Sequence, residues 1–179
     1  MSVAQASARK GRSGDWLTLA RHAAGRGGEG EEAELLRELL SFRLATASYA
    51  IPVERVREIV RLREITPMPR VPDFVKGVVA LRGEIVQVVD MRMCLGIESR
   101  EPTRTSRIIV LHGDEQRVTG VLVDAVQEVM RVPESEITVS SSGDAGMVPE
   151  LCTRGDEFVS IVDMDRVLED GASDSDDGD

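Results

Sequence analysis

Across residues 39–167 the apolar positions come in short runs rich in Val, Ile and Leu, interrupted every few residues by charged positions or by Gly and Pro. That is the pattern of strands in small curled sheets, because β-branched side chains suit a pleated, half-buried surface and Gly and Pro mark the turns. Pro67, Pro69 and Pro72 exclude regular helix from residues 65–73 and leave an extended segment. Helices are expected in few places. Acids ahead of a Leu-rich stripe in residues 31–39 predict one or two helical turns. Asp90 and Asp163 each follow an apolar run and are placed to cap a short helix through backbone N–H groups. The second helix, over residues 164–169, is expected to pack back on the strands.

The strand pattern repeats. Val53-Glu54-Arg55-Val56-Arg57-Glu58-Ile59-Val60 matches Val123-Asp124-Ala125-Val126-Gln127-Glu128-Val129-Met130 at an offset of 70, and Ile65-Thr66 matches Ile137-Thr138 at 72. The stretch from Arg82-Gly83 to Asp90-Met91 is answered by Arg154-Gly155 to Asp163-Met164, at an offset of 72 for the arginine and 73 for the aspartate. Matched blocks in one order predict a duplicated unit of strand, turn, strand, loop and a strand after Arg-Gly. Two small β subdomains sharing a core follow from it.

A length of 179 residues with 41% apolar content suffices for such a core, and with 3% aromatics it must be built from Val, Ile, Leu and Met. Divided along the chain, the net charge of −10 is 0 over residues 1–34, −4 over 35–168 and −6 over 169–179. The first segment, rich in Ala, Gly, Ser and Arg, is expected to be a mostly disordered arm in which only Asp15-Trp16-Leu17-Thr18-Leu19 offers something that docks. The last is expected to be a solvated acidic tail, leaving 35–168 as the folded domain. With a mildly acidic core and no basic stripe, nucleic acid is not an expected partner. Cys94 and Cys152 stand without a second Cys or a His nearby and are expected as buried, reduced thiols. The absence of a basic-then-apolar leader, and of any apolar run near the roughly 20 residues that span a bilayer, predicts a cytoplasmic protein without direct membrane insertion.

Candidate chemistry is sparse. Gly25 to Gly30 follows no strand and has no Lys, so it reads as a linker rather than a phosphate loop. His22 falls in the arm and His112 at a strand-end turn; Ser140-Ser141-Ser142 lacks a nucleophile elbow and reads as a polar loop. Three strand-end acids, Asp90, Asp124 and Asp163, admit a divalent-cation site for hydrolysis, although Asp90 and Asp163 are equivalent positions of the repeat and a cap needed twice explains both. Glu58 and Arg82, single charges among apolar residues, are compatible with an intramolecular pair, a solvent-facing position or a partner contact.

The run from Leu39-Leu40-Ser41-Phe42-Arg43-Leu44 through Tyr49-Ala50-Ile51-Pro52-Val53-Glu54-Arg55-Val56-Arg57-Glu58-Ile59 resembles the opening of CheW domains. Ile65-Thr66-Pro67-Met68-Pro69-Arg70-Val71-Pro72-Asp73-Phe74-Val75-Lys76-Gly77, then Leu81-Arg82-Gly83 and Gly120-Val121-Leu122-Val123-Asp124, continue the resemblance over residues 35–168. It implies a mainly β fold of two five-stranded SH3-like β-barrels around a shared core, with few helices, one of them near the C-terminus. It implies a non-catalytic adaptor without cofactor or metal. The implied partners are the regulatory domain of a CheA-type histidine kinase and the cytoplasmic tip of methyl-accepting chemoreceptors, in chemotaxis or in a related motility or developmental pathway. The family arginine falls on Arg82 and the strand acid on Glu58; Val56 and Ile85 lie beside them, and Val129 is the matching apolar position of the second copy. The chain departs from the family at Ala80, where many members have Asn, and in a short segment over 139–155.

Overall fold

The computed structural model describes residues 33–113, 117–141 and 146–173. Eleven strands occur in them: β1 Leu36–Leu44, β2 Ala47–Pro52, β3 Val56–Arg61, β4 Val75–Leu81, β5 Glu84–Asp90, β6 Arg107–Leu111, β7 Val118–Val123, β8 Ala125–Pro133, β9 Thr138–Val139, β10 Glu150–Arg154 and β11 Glu157–Ile161. Helix α1, Met91–Cys94, follows β5, and helix α2, Met164–Ser173, follows β11. The strands form a six-stranded sheet, β8-β1-β2-β11-β10-β9, and a five-stranded sheet, β3-β6-β7-β5-β4.

The two orders are one topology used twice. In the five-stranded sheet β5 pairs in parallel with β7, and in the six-stranded sheet β11 pairs in parallel with β2; every other pairing is antiparallel. Superposing the orders equates β3 with β8, β4 with β10 and β5 with β11, in line with the offsets of 70 to 73. It also equates the hairpin β1–β2 with β6–β7. The bridge between Thr66 and Val78 then corresponds to β9 on β10, where Thr138 faces Leu151. Each copy therefore places its first hairpin in the sheet completed by the other copy, and the two barrels are interleaved.

This exchange explains the core. One cluster, with Val79, Val86, Val88, Ile108 and Leu122, fills the five-stranded sheet, and another, with Leu39, Ala50, Met130, Cys152 and Val159, fills the six-stranded one. The third and largest joins them: Phe42, Leu44 and Ile51 meet Val89, Ile109 and Val121, and Val162, Met164 and Val167 cover them from the start of α2. At the same junction Asp90 caps α1 through the Arg92 N–H, and the Arg92 guanidinium grips Asp124 with two bonds of 2.8 and 2.5 Å. Asp124 also accepts from the N–H of Ala45 in the β1–β2 turn, fastening the exchanged hairpin to the strand crossover.

Two expectations change. Over its described part, residues 33–39, the Leu-rich stripe does not form a helix: Leu36–Leu44 is a strand, because Leu39, Leu40 and Phe42 are needed between β2 and β8, and tertiary pairing overrides a weak helical pattern. The C-terminal helix does not stop at residue 169 but continues through Ser173. Residues 1–32, with His22, the Gly-rich run and Trp16, lie outside the described residues, as do Ser142 and residues 174–179.

Candidate partner-binding faces

The hairpin between β4 and β5 turns on two residues, since Leu81 and Glu84 are paired across it. Arg82 and Gly83 both have positive φ, +50° and +82°, as a two-residue turn matching the strand twist requires. A left-handed conformation costs a non-glycine residue about 1 kcal/mol or more, and its consequence is geometric: Arg82 stands at the tip, with its side chain 84% exposed. From there Arg82 Nη2 reaches Glu58 Oε2 on β3 at 3.1 Å, while Arg57 Nη2 reaches Glu84 Oε2 at 2.7 Å. β3 and β4 are opposite edges of the sheet, so both ion pairs span the seam where it curls closed. The Arg57 hydrogen bond holds the Glu84 carboxyl below its usual range and, reciprocally, raises Arg57.

Apolar side chains flank these charges without cover. Ile59 on β3 is 42% exposed and Ile85 on β5 is 62% exposed. A charged pair fixing register beside bare aliphatic surface is the composition of a protein–protein contact. Of the residues singled out from the sequence, Glu58 and Arg82 are thus paired with each other, and Ile85 lies in the same hairpin. Val56 does not present itself; it is half-buried against the shared core. Val129 lies in the other sheet, 55% exposed, at the position equivalent to Ile59.

It belongs to a second version of the same face. Glu128 on β8 accepts from Arg154 Nη1 at 3.0 Å across the seam of the six-stranded sheet, and Arg154 Nη2 also reaches Glu157 at 2.8 Å. Phe158, equivalent to Ile85, is 70% exposed. The copies differ by one residue in the turn. Arg154 is the last residue of β10, paired with Glu157, and Gly155 with φ +61° begins the turn, whereas in the first copy the arginine itself is in the turn. That slip accounts for the change of offset from 72 to 73 and draws Arg154 down to 28% exposure. Arg57, Ile59, Glu84, Glu128, Arg154 and Phe158 were not singled out from the sequence. The repeat offset was the signal that places most of them beside the chosen residues.

The three acids considered for a cation site are otherwise engaged. Asp90 caps α1 and lies 3.3 Å from Lys76, Asp124 is held by Arg92, and Asp163 caps α2 through the N–H groups of Asp165 and Arg166. Among the described residues no three metal-ligating side chains gather, and no helix is long and apolar enough to cross a membrane. Cys94 and Cys152 are buried free thiols.

Comparison with known proteins agrees with this architecture. Residues 38–172 match the family described as CheW-like domain. The chain is 31% identical over 136 residues to the chemotaxis protein CheW of Rhizobium meliloti, covering 74% of this chain and 87% of that protein. It is 28% identical over 139 residues to Protein FrzA of Myxococcus xanthus, covering 74% and 86%. The crystal structure of the scaffolding protein TtCheW from Thermoanaerobacter tengcongensis superposes with a TM-score of 0.66 at 30% identity, covering 72% of this chain and 90% of that one.

Proposed function

The chain belongs to the CheW-like domain family, and on that premise we propose that it is an adaptor joining a chemoreceptor to a histidine kinase, without a catalytic step of its own. The observation that carries the reading is the pair of similar faces, one per barrel, each with a Glu–Arg pair beside exposed aliphatic or aromatic surface. One protein with two such faces can hold two partners at once. A CheA-type regulatory domain would meet a barrel edge to edge, and the helical cytoplasmic tip of a methyl-accepting chemoreceptor would lie against an apolar surface. The protein would act on the cytoplasmic side, recruited to receptor arrays. Since one relative is named Protein FrzA, a second reading keeps the adaptor role with a receptor set outside chemotaxis.

The test is co-purification of the full chain with a CheA regulatory domain and with a receptor-tip fragment from the same organism. Retention of both together supports the adaptor role. A folded chain retaining neither overturns it.

A further inference from the structure

The duplication supplies a comparison within one chain. Arg131 on β8 faces Glu38 on β1 across the six-stranded sheet and reaches its carboxylate at 2.9 Å. In the five-stranded sheet the equivalent of Arg131 is Arg61 on β3, at the offset of 70, and the equivalent of Glu38 is Arg107 on β6. One ladder position therefore holds opposite charges in one copy and two like charges in the other. Like charges placed directly opposite each other destabilise a strand pair. Among the described residues no carboxylate meets Arg61, and Arg107 spends its Nη1 on the carbonyls of Arg104 and Ser106, which satisfies donors but neutralises no charge.

The surroundings repeat the contrast. The depression beside Glu38 and Arg131 is lined by two arginines and two glutamates, with Leu36. The one beside Arg61 and Arg107, about 730 Å³, adds Arg104 and has no acid. It shares Leu62 and Pro102 with a second concavity of about 580 Å³, which brings Arg63 and Arg100 and has Glu101 as its one acid. None of these five arginines forms an ion pair with a described residue, and all but the half-buried Arg107 are exposed. In a chain of net charge −10, such a grouping is the opposite of what composition produces.

The lining also selects the kind of anion. Forked guanidinium groups converging on a concavity suit carboxylates taken in bidentate fashion. Neither lining has an aromatic side chain on which a base could stack, as single-stranded nucleic acid binding uses. The plane of a lipid bilayer does not follow a concave surface. Leu62 and Pro102 give the floor an apolar strip, and Arg61 follows Ile59 on the exposed side of β3, so a polypeptide meets both charge and aliphatic surface there.

We propose that the two concavities are a docking site for an acidic segment of a partner protein, whose carboxylates supply to Arg61 and Arg107 what Glu38 supplies to Arg131 in the other copy. The inference goes beyond the adaptor reading and does not depend on it.

The experiment titrates the full chain with a hexaglutamate peptide in low salt and follows amide chemical shifts. The amides of residues 61–63 and 100–107 should move, and about 0.5 M salt, with a Debye length of about 4 Å, should suppress the movement. No shifts, or shifts elsewhere, overturn the proposal. R61Q/R104Q and R100Q/R104Q, each with an unchanged melting temperature, should weaken the peptide by about 10-fold or more, the scale for removing charges that pair across an interface. Undiminished affinity in the folded variants overturns it. R131Q removes the equivalent arginine that Glu38 already neutralises and should leave the affinity unchanged; an equal loss there would show diffuse attraction rather than a site. Single-stranded DNA and phosphatidylglycerol vesicles run in parallel. If either moves the same amides while hexaglutamate does not, the site takes phosphate and the proposal fails.

Discussion

Glu58 on β3 and Arg82 at the β4–β5 turn stand on opposite edges of one sheet and close it with a 3.1 Å ion pair. The arginine is 84% exposed and the glutamate 21%, so the pair lies in water on one side and against the barrel on the other. Exposed ion pairs contribute about 0 to 1 kcal/mol, and this one is better placed to orient Arg82 than to hold the fold.

Arg82→Ala should therefore change the unfolding free energy by less than about 1 kcal/mol in a urea titration. Its binding to a kinase regulatory domain should weaken by about 10-fold or more, the size of a centrally placed contact. Arg154→Ala is the contrast. It breaks two ion pairs on a side chain only 28% exposed and should cost more stability than Arg82→Ala. Equal stability loss for the two would mean that the one-residue slip between the turns has no energetic effect.

Glycine substitutions separate backbone conformation from packing. At Gly83, φ is +82° and an added Cβ meets nothing within 4 Å, so Gly83→Ala should cost only the conformational penalty, about 1 to 2 kcal/mol. At Gly77, φ is +141° and a Cβ would lie 2.1 Å from the Thr66 carbonyl oxygen. Gly77→Ala must break the Thr66–Val78 bridge as well, and its loss in the same urea titration should exceed that of Gly83→Ala.

The duplication was readable because both copies keep the same residue types in the same order at nearly the same offset, 70 to 73: Glu58 with Glu128, Arg82 with Arg154, Asp90 with Asp163. The exchange of hairpins was not, since β1–β2 and β6–β7 share little beyond alternation and nothing local says which copy a hairpin joins. Residues 31–39 illustrate the same limit, as a Leu-rich stripe serves a helix or a strand equally well until its neighbours are known. The facing of Arg61 on β3 and Arg107 on β6 was hidden for a further reason. Arg61 and Arg107 are 46 positions apart, and only the β3–β6 ladder makes them neighbours.

Burial raises the Cys94 thiol to about 12, so at pH 8 it carries almost no thiolate. Cys152 is raised in the same direction by burial. Native protein should react with a thiol reagent at pH 8 only as fast as it opens, and both cysteines should label together once urea unfolds the chain. Rapid labelling of Cys94 in the folded protein would show that the α1 end of the shared core opens on its own.

The Arg92–Asp124 grip ties the strand crossover to the exchanged hairpin, and its response to acid follows from the sign of the shift. The Arg92 hydrogen bond holds the Asp124 carboxyl below its ordinary value against the opposing effect of burial, with further help from the Ala45 N–H and the charges of Arg92 and Arg100. A carboxyl lowered in the folded state stabilises fully above its unfolded value of about 3.9, and that stabilisation disappears as pH falls through the folded value. Asp124→Asn removes the charge and keeps the shape, while Arg92, 8% exposed, stays buried with a weaker acceptor. The variant should be less stable at pH 7 by up to about 3 kcal/mol, the scale for stripping a buried charge of its partner. The gap to the wild type should hold down to about pH 4 and narrow below it. Urea titrations of both proteins from pH 7 to pH 2 measure the gap directly; a gap that stays constant across that range would mean that Asp124 does not hold the crossover through its charge.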